Sequence, residues 1–100
     1  MTYTQPEFRT YLLTFDAPRD LVLRHLDTRS EIVNWLAIFP GAILVCSKSD
    51  LAALTGLLHV TAQGWNFFLC EVTSSTANGW MNQQVWDFIN SPKPSGRWPT

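Results

Sequence analysis

One carboxylate of this 100-residue chain stands where a run of strand-forming residues gives way to a turn. Asp16 follows the run 10–15 (TYLLTF) and precedes Ala17-Pro18. Mg²⁺ often needs only one or two protein carboxylates beside its waters, so two copies of the chain could bind it with one Asp16 each. The alternative is that Asp16 caps the free N–H groups of a following helix. The sequence leaves both hypotheses open, a metal-binding catalytic residue or a helix cap.

The predicted binding edge surrounds Asp16 with short polar and aromatic side chains. We expect the third strand to run parallel to the first, which brings its end to the edge that holds Asp16. The residues just before the fourth strand and at the start of the first helix are expected at the same edge. The predicted binding residues are Ser47, Lys48, Ser49, Trp65, Asn66 and Arg19. Glu71 is expected at the opposite end, because the fourth strand should run antiparallel to the first.

Other familiar catalytic patterns are missing from the sequence. It has no Gly-rich phosphate loop, and neither His25 nor His59 has a partner at metal-ligand spacing. Cys46 and Cys70 each sit in an apolar run, which favours buried thiols. We therefore predict no cofactor, and Mg²⁺ at Asp16 stays open as the one alternative. Whether the chain is an enzyme stays open, and if it is one, a Mg²⁺-dependent nuclease is the expected kind.

Composition favours a soluble domain that binds other macromolecules through neutral surfaces. Hydrophobic residues make up 46% of the chain, charged residues only 15%, and the net charge is −1. Nucleic-acid binders usually carry a clustered basic excess, so charge does not support nucleic acid as a partner. A dimer could still pool Arg9, Arg19, Arg24 and Arg29. The five tryptophans suggest an association surface. No signal peptide or membrane span is evident, so we predict a cytoplasmic protein with no membrane partner.

The pattern of apolar residues predicts alternating strands and helices. Segment 32–39 is ambiguous, since it also fits one face of a helix, but Pro40-Gly41 is a turn signal and favours a hairpin. Ser47 or Ser49 is expected to cap the second helix, which ends at Gly64, and Asn78 to cap the last. The predicted elements are strand 10–15, helix 19–27, strand 33–39, strand 42–47, a helix ending near 62, strand 66–72 and a helix over about 79–90.

This order predicts an α+β domain with a ferredoxin-like βαββαβ core. Its four-stranded antiparallel sheet would carry two helices on one face, with a C-terminal helix added. The domain should span 9–90, after a lead-in over 1–8 and before a flexible tail over 91–100 in which Trp98 docks on a partner. Both faces of the sheet are apolar, so the second face needs a cover. The C-terminal helix is one candidate and a second copy is the other, and we expect a homodimer.

Several runs of the sequence resemble the small ferredoxin-like proteins called the SinR family, which are distinct from the helix-turn-helix repressor of that name. The first strand of that family often reads Tyr-Leu-Ile-Thr-Tyr-Asp, to which residues 11–16 (YLLTFD) are similar. The resemblance covers roughly residues 9–90. Its further matching segments are 34–39 (NWLAIF), 43–45 (ILV), 66–72 (NFFLCEV), 79–80 (GW) and 86–89 (WDFI).

The resemblance implies a fold related to the small subunit of the CRISPR adaptation complex and to VapD-type ribonuclease toxins. In those relatives an Asp that closes the first strand is associated with divalent metal and phosphodiester cleavage, and Asp16 matches it. Pro40-Gly41 replaces the usual Ser or Thr, and the expected basic character is missing. The leading hypothesis is a homodimeric binding protein, non-catalytic or weakly catalytic, linked to nucleic acid or mobile-element conflict with host defence. The alternatives are a metal-dependent ribonuclease that uses Asp16 in each protomer and a phage- or plasmid-encoded inhibitor of a host defence complex.

Overall fold

A computed structural model describes residues 8–62 and 64–95, in which strands and helices follow one another in the predicted order. The elements are β1 (Arg9–Phe15), α1 (Arg19–Asp27), β2 (Asn34–Phe39), β3 (Ala42–Ser47), α2 (Leu51–Ala62), β4 (Phe67–Val72) and α3 (Gln83–Asn90). Residues 1–7 of the predicted lead-in and the predicted docking residue Trp98 lie outside the described residues. In the described part of the chain, no helix has the length and apolar character needed to cross a membrane.

The four strands form one antiparallel sheet in the order β2-β3-β1-β4. The two crossover units, β1-α1-β2 and β3-α2-β4, interleave, which gives the predicted ferredoxin-like α+β fold. The crossover through α1 makes β2 parallel to β1, and the β2–β3 hairpin then makes β3 antiparallel to both strands. Arg9 therefore pairs with Ser47 and Thr14 with Ala42. The expectation that the third strand runs parallel to the first is wrong, and this moves part of the predicted binding edge.

The ambiguous segment forms the β2–β3 hairpin. Pro40-Gly41 makes the turn, and the N–H of Phe15 donates to the carbonyl of Gly41 at 3.2 Å. A Cβ at Gly41 would lie 3.4 Å from the carbonyl oxygen of Phe15, which is van der Waals contact, so the turn packs directly against the end of β1. The turn signal, rather than the helical spacing, decides the structure of this segment.

The main core lies between the sheet and the helices α1 and α2. Alternation along each strand sends one set of side chains to this face, where Tyr11 and Leu13 are fully buried. The helices present residues spaced four apart to the same core. Val22 and Leu26 of α1 and Leu54 and Leu58 of α2 pack in one cluster with these strand residues. The predicted division of β1 into two apolar faces is confirmed, since Leu12 packs in a different cluster.

Helix α3 covers the second face of the chain's own sheet. Its buried Val85 and Ile89 pack around Leu44, with Leu12 and Leu36 partly buried beside them. As a result β3 is buried along its whole length. The predicted cap at Asn78 is wrong: the side chain of Asn82 accepts from the N–H of Val85 at 3.2 Å. Asn78 instead accepts from its neighbour Gly79 at 2.9 Å.

Beyond α3 the chain passes along the outer side of β2. The N–H of Ser95 donates to the carbonyl of Val33 at 2.8 Å. The side-chain amide of Asn34 donates to the carbonyl of Lys93 at 3.2 Å. The first residues of the predicted tail therefore lie against the β2 edge of the sheet.

Candidate functional site

Asp16 links the end of β1 to the start of β4. Its two carboxylate oxygens accept from the backbone N–H of Asn66 at 3.3 Å and from the side-chain amide of Asn66 at 3.2 Å. The N–H of Asp16 donates in return to the carbonyl of Asn66 at 3.1 Å. The predicted proximity of Asp16 and Asn66 is confirmed. The predicted cap is wrong, because Pro18 is the N-cap residue of α1 and no side chain accepts a hydrogen bond there.

Trp65 supports this corner of the sheet from the helix side. Its ring meets Phe15 at 6.3 Å and Phe67 at 5.8 Å between centroids, both edge to face, and His25 at 6.4 Å. Such edge-to-face pairs stabilise by about 0.5–1.5 kcal/mol beyond the area that they bury. The indole N–H of Trp65 is buried without a hydrogen-bond partner in the described part of the chain, which costs about 1–3 kcal/mol. Trp65 is placed near Asp16 as predicted, and it packs as a core aromatic.

The donor set around Asp16 does not form a metal cage. Among residues 8–62 and 64–95, no three His, Cys, Asp or Glu side chains converge on one point. Asp16 lies in a surface depression of about 320 Å³. The other residues that line it are Thr14, Phe15, Asn66, Phe67 and Phe68. A Mg²⁺ ion bound there would take its remaining ligands from water or a substrate phosphate. Arg19, the first residue of α1, is exposed nearby along the chain.

The antiparallel β3 puts residues 47–49 at the other end of the sheet, away from Asp16. Ser47 is fully buried and its hydroxyl accepts from the N–H of Ser49 at 3.1 Å. The α2 cap is Asp50 rather than a serine, since its carboxylate accepts from the N–H of Ala53 at 2.8 Å. Lys48 lies 5.2 Å from the ring centroid of Phe8, a cation–π arrangement. The predicted binding edge is therefore split between the two ends of the sheet.

The end of the sheet opposite Asp16 carries a second polar cluster, which the sequence analysis missed. Glu71 lies there as predicted, 3.5 Å from the guanidinium of Arg9, with both side chains more than a third exposed. The hydroxyl of Tyr11 donates to the carbonyl of Ser49 at 2.6 Å. Burial, and secondarily the charge of Glu71, raises the pKa of Tyr11. Tyr11 is thus held neutral as a hydrogen-bond donor, and no general base is paired with it here.

A cleft of about 500 Å³ opens beside this cluster, between the ends of β1 and β4 and the last turn of α3. Its polar walls include Arg9, Glu71 and the hydroxyls of the loop 73–75, and its apolar walls include Ile89. The loop hydroxyls are partly committed to one another, since Thr73 lies 3.0 Å from Ser75 and 3.2 Å from Thr76. In the sequence, only the polar loop after β4 points to this cleft. A polar loop by itself does not predict a cavity, because the other walls come from distant parts of the chain.

Large aromatic side chains are exposed at three separated points of the described surface. Phe39 at the end of β2 is 54% exposed, Phe68 on β4 67%, and Trp80 in the loop before α3 100%. These side chains match the predicted surplus of aromatic residues over what a core of this size can bury. They can contribute apolar contacts to a partner.

Comparison with protein-family models, with curated proteins and with solved structures found no match to this chain.

Proposed function

We propose that this chain is a homodimeric binding protein of the SinR-like group, acting in nucleic-acid or mobile-element conflict with host defence without robust catalysis. The observation that carries the proposal is the engagement of Asp16. Its carboxylate accepts hydrogen bonds from the backbone N–H and the side-chain amide of Asn66. Asp16 therefore has a structural role in connecting the end of β1 to the start of β4. An acid–base pair of the kind that a metal-independent nuclease needs is missing from the described surroundings of Asp16.

A protein partner is favoured over a nucleic-acid partner by the character of the surface. The chain carries a net charge of −1. The guanidinium of Arg9 lies 3.5 Å from the carboxylate of Glu71, so its positive charge is already offset. Phe68 and Trp80 are exposed aromatic groups of the type enriched at protein interfaces. These observations support a second candidate of the same kind, a protein-interaction inhibitor of a host defence complex.

The test is a cleavage and binding assay with end-labelled RNA and DNA in Mg²⁺. The proposal expects intact substrate with the wild-type protein at concentrations where the protein is dimeric. Asp16→Ala and Asn66→Ala form a matched pair, because both remove the hydrogen bond between the two side chains while only the first removes the carboxylate. Cleavage by the wild type and by Asn66→Ala but not by Asp16→Ala would instead establish the metal-dependent ribonuclease.

A further inference from the structure

The two edges of the sheet are treated differently by the rest of the chain. At the β2 edge, the N–H of Ser95 is bonded to the carbonyl of Val33, and Asn34 holds the backbone of Lys93. At the β4 edge, no strand or tail segment pairs with β4 among the described residues. Exposed sheet edges of natural proteins are usually blocked by charge, proline or cover, because unpaired backbone groups recruit another strand. The β4 edge has only one charged residue, Glu71, and no proline.

The unpaired backbone groups of β4 belong to alternate residues. The N–H of Asp16 donates to the carbonyl of Asn66, and Thr14 pairs with Phe68 in the ladder between β1 and β4. In an antiparallel ladder the backbone groups alternate in direction, so those of residues 66, 68, 70 and 72 face β1. The N–H and C=O groups of Phe67, Leu69 and Glu71 therefore face outward. A groove of about 480 Å³ lies beside Phe67 and Leu69, and Thr55 and His59 of α2 also line it.

We propose that β4 pairs antiparallel with β4 of a second copy about a two-fold axis at Leu69, joining the two sheets into one. This inference rests on the proposed homodimer and specifies how its copies meet. In this register Leu69 pairs with itself, Phe67 lies opposite Glu71 of the second copy, and Phe68 lies opposite Cys70. The outward N–H and C=O groups of all three residues then form hydrogen bonds with the second copy. The two Glu71 carboxylates are not opposite each other, which avoids the destabilising repulsion of directly opposed like charges.

The side chains of β4 suit a second copy. Phe68, Cys70 and Val72 point to one face and Phe67 and Leu69 to the other, so both faces of the new strand pair gain apolar neighbours. The exposed ring of Phe68 packs across the pair, on the face opposite the helices α1 and α2. A closed two-fold arrangement also uses up the edge, which limits assembly to two copies.

The pairing has a consequence for Asp16. Each Asn66 lies three residues from the axis at Leu69, so the two Asn66 residues stand about 20 Å apart along the paired strands. Each Asp16 is bonded to its own Asn66. The two carboxylates therefore lie at opposite ends of the strand pair and cannot share one metal ion. This dimer supports binding rather than a joint magnesium site.

The test compares dimer dissociation constants from sedimentation equilibrium for Phe68→Lys and Phe39→Lys. Both remove an exposed phenylalanine from an edge strand of the sheet, but only Phe68 lies on the proposed interface. Phe68→Lys places two ammonium groups on diagonal positions about 7–8 Å apart and should raise the dissociation constant about tenfold or more, whereas Phe39→Lys should change it less than about twofold. Because both side chains are exposed, circular dichroism should show that both variants fold.

Thiol cross-linking provides an independent readout. The Cys70 residues of the two copies occupy diagonal positions, so a bifunctional thiol reagent that spans about 8 Å should join the wild-type chains through Cys70. Cys70→Ser is the control and should abolish the cross-linked dimer. A wild-type dimer that neither cross-links nor weakens with Phe68→Lys overturns the β4 pairing and leaves the homodimer standing. A wild-type monomer overturns both the β4 pairing and the homodimer.

Discussion

Asp16 is bonded to Asn66 through both its side chain and its backbone, so its energetic role can be measured apart from any chemistry. Asp16→Ala removes two side-chain hydrogen bonds and should lower the free energy of unfolding by about 1–3 kcal/mol, because each contributes about 0.5–1.5 kcal/mol. Asn66→Ala removes only one of them and should cost about half as much. Chemical denaturation of both single variants and of the double variant measures the coupling. A double variant whose loss equals the sum of the single losses would contradict the contact between the two side chains.

The two cysteines differ in reactivity. Burial raises the pKa of the Cys46 thiol to about 12, and its side chain is fully buried. Since the thiolate is the nucleophile, native protein at pH 8 should react with a chromogenic disulfide at Cys70, while Cys46 reacts only on unfolding. The measurement is thiol titration before and after denaturant, with Cys70→Ser as the control. Rapid reaction of native Cys70→Ser would show that Cys46 is accessible.

Cys46 also gives the stability of the fold a pH dependence. Below pH 9 the thiol is protonated in the folded and the unfolded chain, so it has no effect there. Between pH 9 and about 12 the unfolded chain loses the proton while the folded chain keeps it. The free energy of unfolding should therefore fall across that range, and Cys46→Ala should fall less steeply. Equal slopes for the two proteins in urea titrations above pH 9 would contradict this assignment.

At the scale of elements, the cap of α3 offers a sharp test. Asn82 accepts from the N–H of Val85, whereas the side chain of Asn78 accepts from the N–H of Gly79, outside the helix. Asn82→Ala should lower the free energy of unfolding by about 1 kcal/mol, the usual value for a lost N-cap. Asn78→Ala is the matched control and should cost clearly less. If thermal denaturation ranked the two variants the other way, helix α3 would begin earlier than at Gln83.

The elements themselves could be predicted from the sequence because their signals are local. Alternation in β1, the turn at Pro40-Gly41 and helical spacing in α1 each depend on a few neighbouring residues. The cap of α3 was harder to predict, since Asn78 and Asn82 have the same chemistry and only the packing of Val85 on the sheet selects between them. The position of residues 47–49 depended on the strand direction of β3. That direction follows from the interleaved topology. Because the third strand was expected to run parallel to the first, residues 47–49 were predicted at the wrong end of the sheet.

At the scale of the molecule, α3 determines which surfaces remain for partners. It covers the second face of its own sheet around Leu44, the face for which the sequence left the C-terminal helix and a second copy as alternative covers. Among the described residues, the aromatic side chains that stay exposed are Phe68 at the β4 edge, Phe39 at the end of β2, and Trp80. An apolar face could be predicted from alternation alone, whereas an open edge is visible only once the pairing of all strands is known.

The packing of α3 can be tested through its buried residues. Ile89 is 8% exposed and lies against the sheet with Val85. Ile89→Ala should lower the free energy of unfolding by about 2–4 kcal/mol, as truncation of a buried isoleucine usually does. Trp80→Ala, at a fully exposed side chain, is the control and should leave stability within about 0.5 kcal/mol. A loss for Ile89→Ala as small as that of the control would mean that α3 does not cover the sheet.

The most direct test of the central claim is light scattering coupled to size exclusion, with and without Mg²⁺ and a short RNA or DNA. The account predicts a mass of twice the 11.4 kDa of one chain in every condition, since the dimer needs neither metal nor nucleic acid. An added mass in the presence of nucleic acid would identify that partner, and an unchanged dimer would favour a protein partner. A mass of 11.4 kDa at all protein concentrations would contradict the account.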